Sequence, residues 1–284
     1  RRPEIPEPRT MSSLPSAAHI LLLFCSTAHG LVAVPAQVRW VAACAPLRTA
    51  PVHAAAAALR SVVVTDMDET LISKKSTGYV VNFLVRYRAF ARLTLLPVLV
   101  AVLIPLSKVA RTLAVRLMYW FAFRGINVEK AKRVAAGGLV ERYASDLQDP
   151  AASAVLEADE AVIITASPDF MARPWLERFL RVPAANVYGA TLEERNGRFT
   201  GRTFDIPIGE KKVELLARSG KSAGATTTGY GDHPTDIPFL RACDRGVLVQ
   251  AEGHEVKDER YPTDGLEVQR PAPFPQSKLY TLGA

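Results

Sequence analysis

Two short runs, SVVVTD at residues 61–66 and AVIIT at 161–165, are dense in β-branched residues and stop abruptly at polar side chains. They are too short for helices and lack the in–out alternation of a half-exposed strand, so they read as parallel strands buried on both faces. GVLV at 246–249 reads the same way, and GATTTGY at 224–230 is a weaker strand of the same set. Helices are expected at about 170–181, 210–218 and 234–243, where they can cross back over a sheet. This alternation predicts an α/β fold built on a parallel sheet. Residues 186–204, centred on Asn196-Gly197, predict a β-hairpin. At 284 residues, 49% hydrophobic and 22% charged, the chain has room for one folded domain with appendages and is not a disordered sequence.

The first sixty residues differ in kind. From Met11 to Thr65 there is no acidic residue. ILLLF followed by small residues is a secretory signal pattern, and the Ala- and Arg-rich stretch QVRWVAACAPLRTAPVHAAAAALR resembles an organelle transit peptide. The tandem resembles the bipartite leaders of algal plastid proteins. Residues 1–60 are therefore expected to be a targeting leader, for a plastid or other organelle, with the secretory-pathway membrane as the alternative. A retained hydrophobic anchor is the competing reading. The three cysteines, Cys25, Cys44 and Cys243, do not make a disulfide framework or a cysteine metal site. A net charge of +7 and a pI near 9.4 suit nucleic acid, anionic lipid or phosphorylated substrates. No zinc-finger spacing or RNA-binding aromatic motif accompanies the charge, so no nucleic-acid partner is expected.

Residues 74–158 form a long helical insertion after the first strand. Its centre, LTLLPVLVAVLIPL at 93–106, is nearly all apolar, yet shorter than the roughly 20 residues that span a bilayer. A core helix is one reading and an interfacial or re-entrant segment the other. Lys108, Arg111, Arg116 and Arg124, with Tyr119 and Trp120, would suit an anionic membrane surface. The segment after 251 is charged and proline-containing, and is expected to be a tail at 251–284 without clear elements.

The first strand ends in two carboxylates one residue apart, Asp66 and Asp68. In an open α/β sheet ligands bind at the carboxyl ends of the strands. Adjacent carboxylates repel, so the pair needs a cation, a shared proton or ample solvent; Mg²⁺, a hard cation that shares its coordination with phosphates, is the partner of least cost. Thr165 and Ser167 lie at the end of the second strand, where a hydroxyl and a helix N-terminus could cradle a phosphate. Lys211 and Lys212 head a helix, and Asp232 and Asp236 occupy a further strand-to-helix junction. Each signal is weak alone: a DxD is often a solvated turn, and a Lys-Lys pair is usually surface. Their order and strand-end placement are what count.

In this order, DMDET, VIITAS, GEKKVELL and GDHPTD resemble the four motifs of the haloacid-dehalogenase superfamily of phosphohydrolases, over roughly residues 61–250. The resemblance implies a Rossmann-like core, 61–73 and 159–250, with a helical cap at 74–158, as in the phosphoserine-phosphatase-like branch. The texture of the insertion and of GYGDHPTDIPFLRAC is closest to the phosphatidylglycerophosphatase C type and to the phosphatase-like domain of plant glycerol-3-phosphate acyltransferases. It implies an Asp66 nucleophile, Asp68 as general acid and base, and Lys212, in preference to Lys211, as the phosphate-binding cation. Thr165 and the Ala166 N–H would hold a phosphoryl oxygen. Mg²⁺ would sit among Asp66, Asp68 (through its backbone carbonyl), Asp232 and Asp236, and Thr70 would brace the loop. The expected function is Mg²⁺-dependent hydrolysis of a phosphorylated glycerolipid, phosphatidylglycerophosphate first. A soluble phosphatase for a metabolite such as phosphoserine, or a non-catalytic module of an acyltransferase system, are the alternatives. Glu69 departs from the glycine the family often has there, which puts the shape of that loop in question.

Overall fold

The computed structural model describes residues 60–219, 225–253, 256 and 260–282. Residues 1–59 of the expected leader, with Cys25 and Cys44, lie outside them. The described residues fall in one unit, Ala55–Ala284. In chain order the elements are β1 (Ser61–Thr65), α1 (Ser76–Tyr87), α2 (Phe90–Val109), α3 (Arg111–Phe123), α4 (Val128–Ala136), α5 (Gly138–Ser145), β2 (Gln148–Asp149) and α6 (Ala151–Glu157). Then come β3 (Glu160–Pro168), α7 (Asp169–Leu180), β4 (Val187–Ala190), β5 (Leu192–Arg195), β6 (Arg198–Thr203) and α8 (Glu210–Arg218). The chain continues through β7 (Thr226–Gly231), α9 (Ile237–Arg241), β8 (Arg245–Val249), β9 (Glu267–Gln269), β10 (Ala272–Pro273) and α10 (Gln276–Leu282).

The main sheet runs β4-β3-β1-β7-β8-β9, with every pairing parallel. The chain leaves β1 towards β3 and β4, then returns to its other side with β7. β1 is therefore the topological switch point, where a parallel sheet opens a crevice at its carboxyl edge. The strands are buried on both faces, which explains their unbroken apolar character. Val62, Val64, Val162 and Ile164 pack under α8 and α9 with Leu215, Leu216, Phe239 and Leu240. Val63, Ile163, Val247 and Val249 face the other layer, which holds α7 and the helices of the insertion.

The weakest strand signal belongs to a central strand, β7. A Cβ on Gly229 would come within 2.9 Å of Cys243 Sγ, and one on Gly231 within 2.7 Å of Asp236 Cβ. Close approach of these two residues, both downstream of β7, excludes the side chains that would have made the strand obvious. The hairpin forms as β5–β6, with Asn196 (φ 51°) and Gly197 (φ 68°) both left-handed as a two-residue turn of this kind requires.

Two expectations change. The C-terminal segment is not featureless: β9 adds a sixth strand beside β8, β10 pairs antiparallel with β2, and Phe274 and Leu279 are buried. β9 was illegible because an edge strand reading Glu-Val-Gln is held by backbone hydrogen bonds and not by an apolar face. The apolar stretch of the insertion also runs longer than its sequence core. α2 is one 20-residue helix through Pro97 and Pro105, about 30 Å long by the usual rise per residue. None of its residues is buried, and by length and composition it could cross a membrane. It is not a core helix of the described unit.

The rest of the insertion is packed by aromatics from distant segments. Phe83 of α1 meets Phe123 of α3 at 5.5 Å, Phe123 meets Phe170 of α7 at 5.4 Å, and Phe170 meets Phe199 of β6 at 5.1 Å. Tyr143 of α5 is stacked between Tyr79 and Trp175, at 3.9 and 5.2 Å. Trp175 is fully buried in this stack. Trp175→Ala is therefore expected to cost about 3–5 kcal/mol, read as a lowered midpoint in urea denaturation.

Candidate active site

At the carboxyl edge of the sheet, β1 delivers Asp66, β3 delivers Thr165, and the turn after β7 delivers Asp232 and Asp236. Asp66 is pinned by its own backbone, whose N–H donates to the Tyr230 carbonyl at 2.9 Å. Lys212, in the first turn of α8, is 3% exposed, and its Nζ lies 2.8 Å from Asp66 Oδ1 and 2.6 Å from Asp236 Oδ1. Leu215 and Leu216, three and four residues on, anchor the same face of α8 in the core. Lys211 is turned away and pairs with Asp205 at 3.5 Å and Glu214 at 2.9 Å. Of the two candidate lysines, only Lys212 reaches the cluster.

Asp66, Asp232 and Asp236 place carboxylate oxygens within 4.8 Å of one another. Were all three ionised, Lys212 would leave two negative charges uncompensated, which is costly in a buried setting. A divalent cation with oxygen ligands would offset that charge, and the donor set fits Mg²⁺. Burial, with Asp236 and Asp68 nearby, pushes Asp66 up to about 7 against the opposing pull of Lys212. Burial and the same crowding push Asp232 well above the usual carboxylate range. Burial alone would lower Lys212, but Asp236 and Asp66 together hold it above its ordinary value. These directions describe a cluster with too much negative charge and too little solvent.

The carboxylate of Asp68 does not join this cluster. It faces the start of α1, accepting from the Ser76 N–H at 2.8 Å and the Ser76 hydroxyl at 2.5 Å, with Ser167 Oγ donating at 3.3 Å. Burial raises Asp68, while the bonds from Ser76 oppose the rise. Thr70 donates to Asp232 Oδ1 at 3.0 Å and so ties the loop after β1 to the turn after β7. Glu69 has φ 56°, in the left-handed region where glycine is at ease. The loop thus keeps a glycine-like conformation with a glutamate in it, paired to Lys75 at 3.1 Å.

Thr165 and Ala166 stand over the cluster, lining a small recess with Asp66, Lys212 and Asp236. The helix N-terminus expected there lies further on, because β3 runs to Pro168 and α7 begins at Asp169. Thr165 Oγ1 instead accepts the Ser167 N–H at 3.1 Å. The recess adjoins a cleft of about 700 Å³, lined by Asp66, Asp232 and His233 together with the end of α2 and residues of α3. Tyr119 of α3 donates to the Ala166 carbonyl at 2.6 Å, fastening that helix to the β3 loop.

Sequence reasoning missed Ser76 and misplaced Tyr119 and Arg111: Tyr119, expected at a membrane surface, is buried against the β3 loop. Arg111 lines both recess and cleft, in contact with His233 Nε2. Burial first, and Arg111 second, lower His233 to about 4. Serine beside the DxDxT loop was a readable signal for Ser76. Nothing in the sequence distinguishes Arg111 from its basic neighbours.

A parallel α/β sheet with a carboxylate–lysine cluster at its switch point, and a helical insertion after the first strand, defines a hydrolase of the haloacid-dehalogenase type. Residues 63–241, well over half of the chain, match the haloacid dehalogenase-like hydrolase family, and the chain belongs to that family. A glycerol-3-phosphate acyltransferase of Petunia hybrida (RAM2) is 26% identical over 175 residues, 58% of this chain and 36% of that protein. The chain thus spans about a third of the curated relative it matches. Three solved structures share the fold. A protein of unknown function from Bordetella pertussis Tohama I has a TM-score of 0.56 and 20% identity, covering 74% of this chain and 98% of its own. A phosphoserine phosphohydrolase-like protein from Francisella tularensis gives 0.52 and 14%, covering 78% and 99%. A HAD family hydrolase from Salmonella enterica serovar Typhi gives 0.51 and 16%, covering 74% and 68%.

Added Mg²⁺ is expected to raise the melting temperature of the wild-type chain, since a ligand held at a hundred times its Kd contributes about 2.7 kcal/mol. Asp232→Asn should abolish the shift. Gly231→Ala, whose methyl would meet Asp236, should weaken it, as read by thermal unfolding across a Mg²⁺ titration.

Proposed function

We propose that this protein is a Mg²⁺-dependent phosphatase that hydrolyses a phosphorylated glycerolipid at a membrane, with phosphatidylglycerophosphate the first candidate. The observation that carries this reading is the shared cleft: the end of the apolar helix α2 walls the same cavity as Asp66 and Asp232. In this reading the core is 61–73 and 159–250, and 74–158 is its cap.

Asp66 attacks phosphorus as the ester P–O bond breaks, and the phosphoryl group passes to its carboxylate. Asp68 donates a proton to the departing alkoxide, then takes one from the water that cleaves the aspartyl-phosphate, so that inorganic phosphate leaves and both side chains return to their starting states. The bonds from Ser76 hold Asp68 apart from Asp66, in keeping with two carboxylates doing different work. Lys212 restrains Asp66 and presents positive charge to the phosphoryl oxygens, while Thr165 Oγ1 and the Ala166 N–H bind one of them. Mg²⁺ held by Asp66, Asp232, Asp236 and the Asp68 backbone carbonyl would supply further positive charge to the transferring group.

Three features support the lipid and membrane part. α2 exposes Leu95, Val98, Val102 and Ile104, each more than half open. Between Glu69 and Glu129 the chain carries nine basic and no acidic residues, as suits an anionic surface. The match to a protein named a glycerol-3-phosphate acyltransferase supports a substrate built on glycerol phosphate. A leader on residues 1–60 would deliver the enzyme to an organelle membrane, a plastid first.

Asp66→Asn is expected to lower Mg²⁺-dependent phosphate release by about a thousandfold or more with an unchanged circular dichroism spectrum. Full turnover in that variant would remove the nucleophile assignment. A phosphate-release panel of lipid and soluble phosphomonoesters tests the substrate class. For the membrane, replacing Leu95, Val98 and Val102 by Asp should abolish co-sedimentation with phosphatidylglycerol vesicles, since each charge costs about 2.5–3.5 kcal/mol in a bilayer-embedded helix. Undiminished sedimentation would show that α2 is not the contact.

A further inference from the structure

We propose that the cleft reads a second anionic group on the substrate, and that Lys108 and Arg111 are the specificity-determining residues that hold it. The inference rests on the phosphomonoesterase reading of the Asp66 cluster and adds a requirement to it. The cleft, at about 700 Å³, has far more room than one phosphoryl group needs, and belongs with pockets for whole small molecules. The recess over Asp66, Lys212, Thr165 and Asp236 accounts for the reacting phosphate. Something else must fill the outer part.

The corner between α2 and α3 brings two cations to this cleft, whose lining also holds Glu69, Lys75 and Arg260. Lys108 lies in the last turn of α2, and Arg111 is the first residue of α3. Several cations elsewhere on the domain have acidic partners: Lys75 with Glu69, Lys132 with Glu194, Arg178 with Glu141, Arg245 with Glu267. Lys108 and Arg111 have no carboxylate partner among the described residues. Among the described residues, the polar contact of Arg111 is with the imidazole of His233. It also stands at a helix N-terminus whose first turn holds no acidic residue. A cation there opposes the helix dipole, so its position is locally unfavourable until an anion arrives. Two unpaired cations beside such a terminus, facing a cavity that admits an ester, form a receptor for anionic oxygens.

The spacing is fixed as well. Tyr119 holds α3 to the Ala166 carbonyl, which keeps Arg111 where the recess meets the cleft, with Lys108 in the lining of the cleft. Val109, Val115 and Met118 add apolar surface to the same lining. A substrate that matches carries a phosphomonoester, a second anion a few bonds away, and an apolar portion beyond it. The second anion is a phosphodiester if the substrate is a lipid, and a carboxylate if it is a soluble ester.

The test uses the full chain with two matched substrate pairs. In neutral phosphatidylcholine vesicles, phosphatidylglycerophosphate carries the extra phosphodiester and phosphatidate does not. In solution, 3-phosphoglycerate carries an extra carboxylate and glycerol 3-phosphate does not. The wild type is expected to prefer the doubly anionic member of one pair by about tenfold or more in kcat/KM, the worth of one charge-assisted hydrogen bond. Lys108→Gln and Arg111→Gln should erase that preference, mainly through KM. Preference within the lipid pair identifies the phosphodiester, and preference within the soluble pair the carboxylate; either supports the proposal. Equal kcat/KM within both pairs, or variants that lower both members by the same factor, would overturn it and leave the phosphatase reading standing. Phosphate release from none of the four would overturn both.

Discussion

The site depends on one buried ammonium. Lys212 lies between Asp66 and Asp236, whose like charges would otherwise repel inside a largely desolvated pocket. Asp66 arrives from the middle of the sheet and Asp236 from the turn after its neighbouring strand, so the lysine welds two crossovers together. It can do so only because α8 lies flat on one face of the sheet, with Leu215 and Leu216 in the core. A buried pair of this sort contributes little net stability after its desolvation cost, and its value lies in fixing where the carboxylates point.

The core was legible because its signals are local. Runs such as SVVVT and AVIIT declare buried parallel strands, and carboxylates just past their ends declare an active edge. What the sequence hid was set by packing between distant segments. β7 looked weak because Gly229 and Gly231 leave room for Cys243 and Asp236. β9 looked like a tail because an edge strand needs no apolar face. The choice between Lys211 and Lys212 depends on helical phase against the sheet, which two adjacent lysines cannot reveal. Arg111 was read as a surface charge; only the fold of α3 over the β3 loop turns it into the cleft.

The insertion joins two chemistries that the sequence keeps side by side. Its apolar helix has no buried residue, while the helices flanking it are locked to the core by Phe83, Phe123 and Phe170. The aromatic cluster explains how an outward-facing hydrophobic rod can be carried without disturbing the catalytic edge. Glu69 shows the opposite economy: the loop keeps its left-handed turn and accepts the steric cost of a side chain there, on the order of 1–2 kcal/mol.

Because Ser107, Lys108 and Val109 close α2 and also border the cavity over Asp66, the rod and the reaction chamber share a wall. Trimming that helix to ease purification would not yield a tidier version of the same enzyme. It would leave a room with one side missing, open to bulk water and indifferent to the shape of whatever enters.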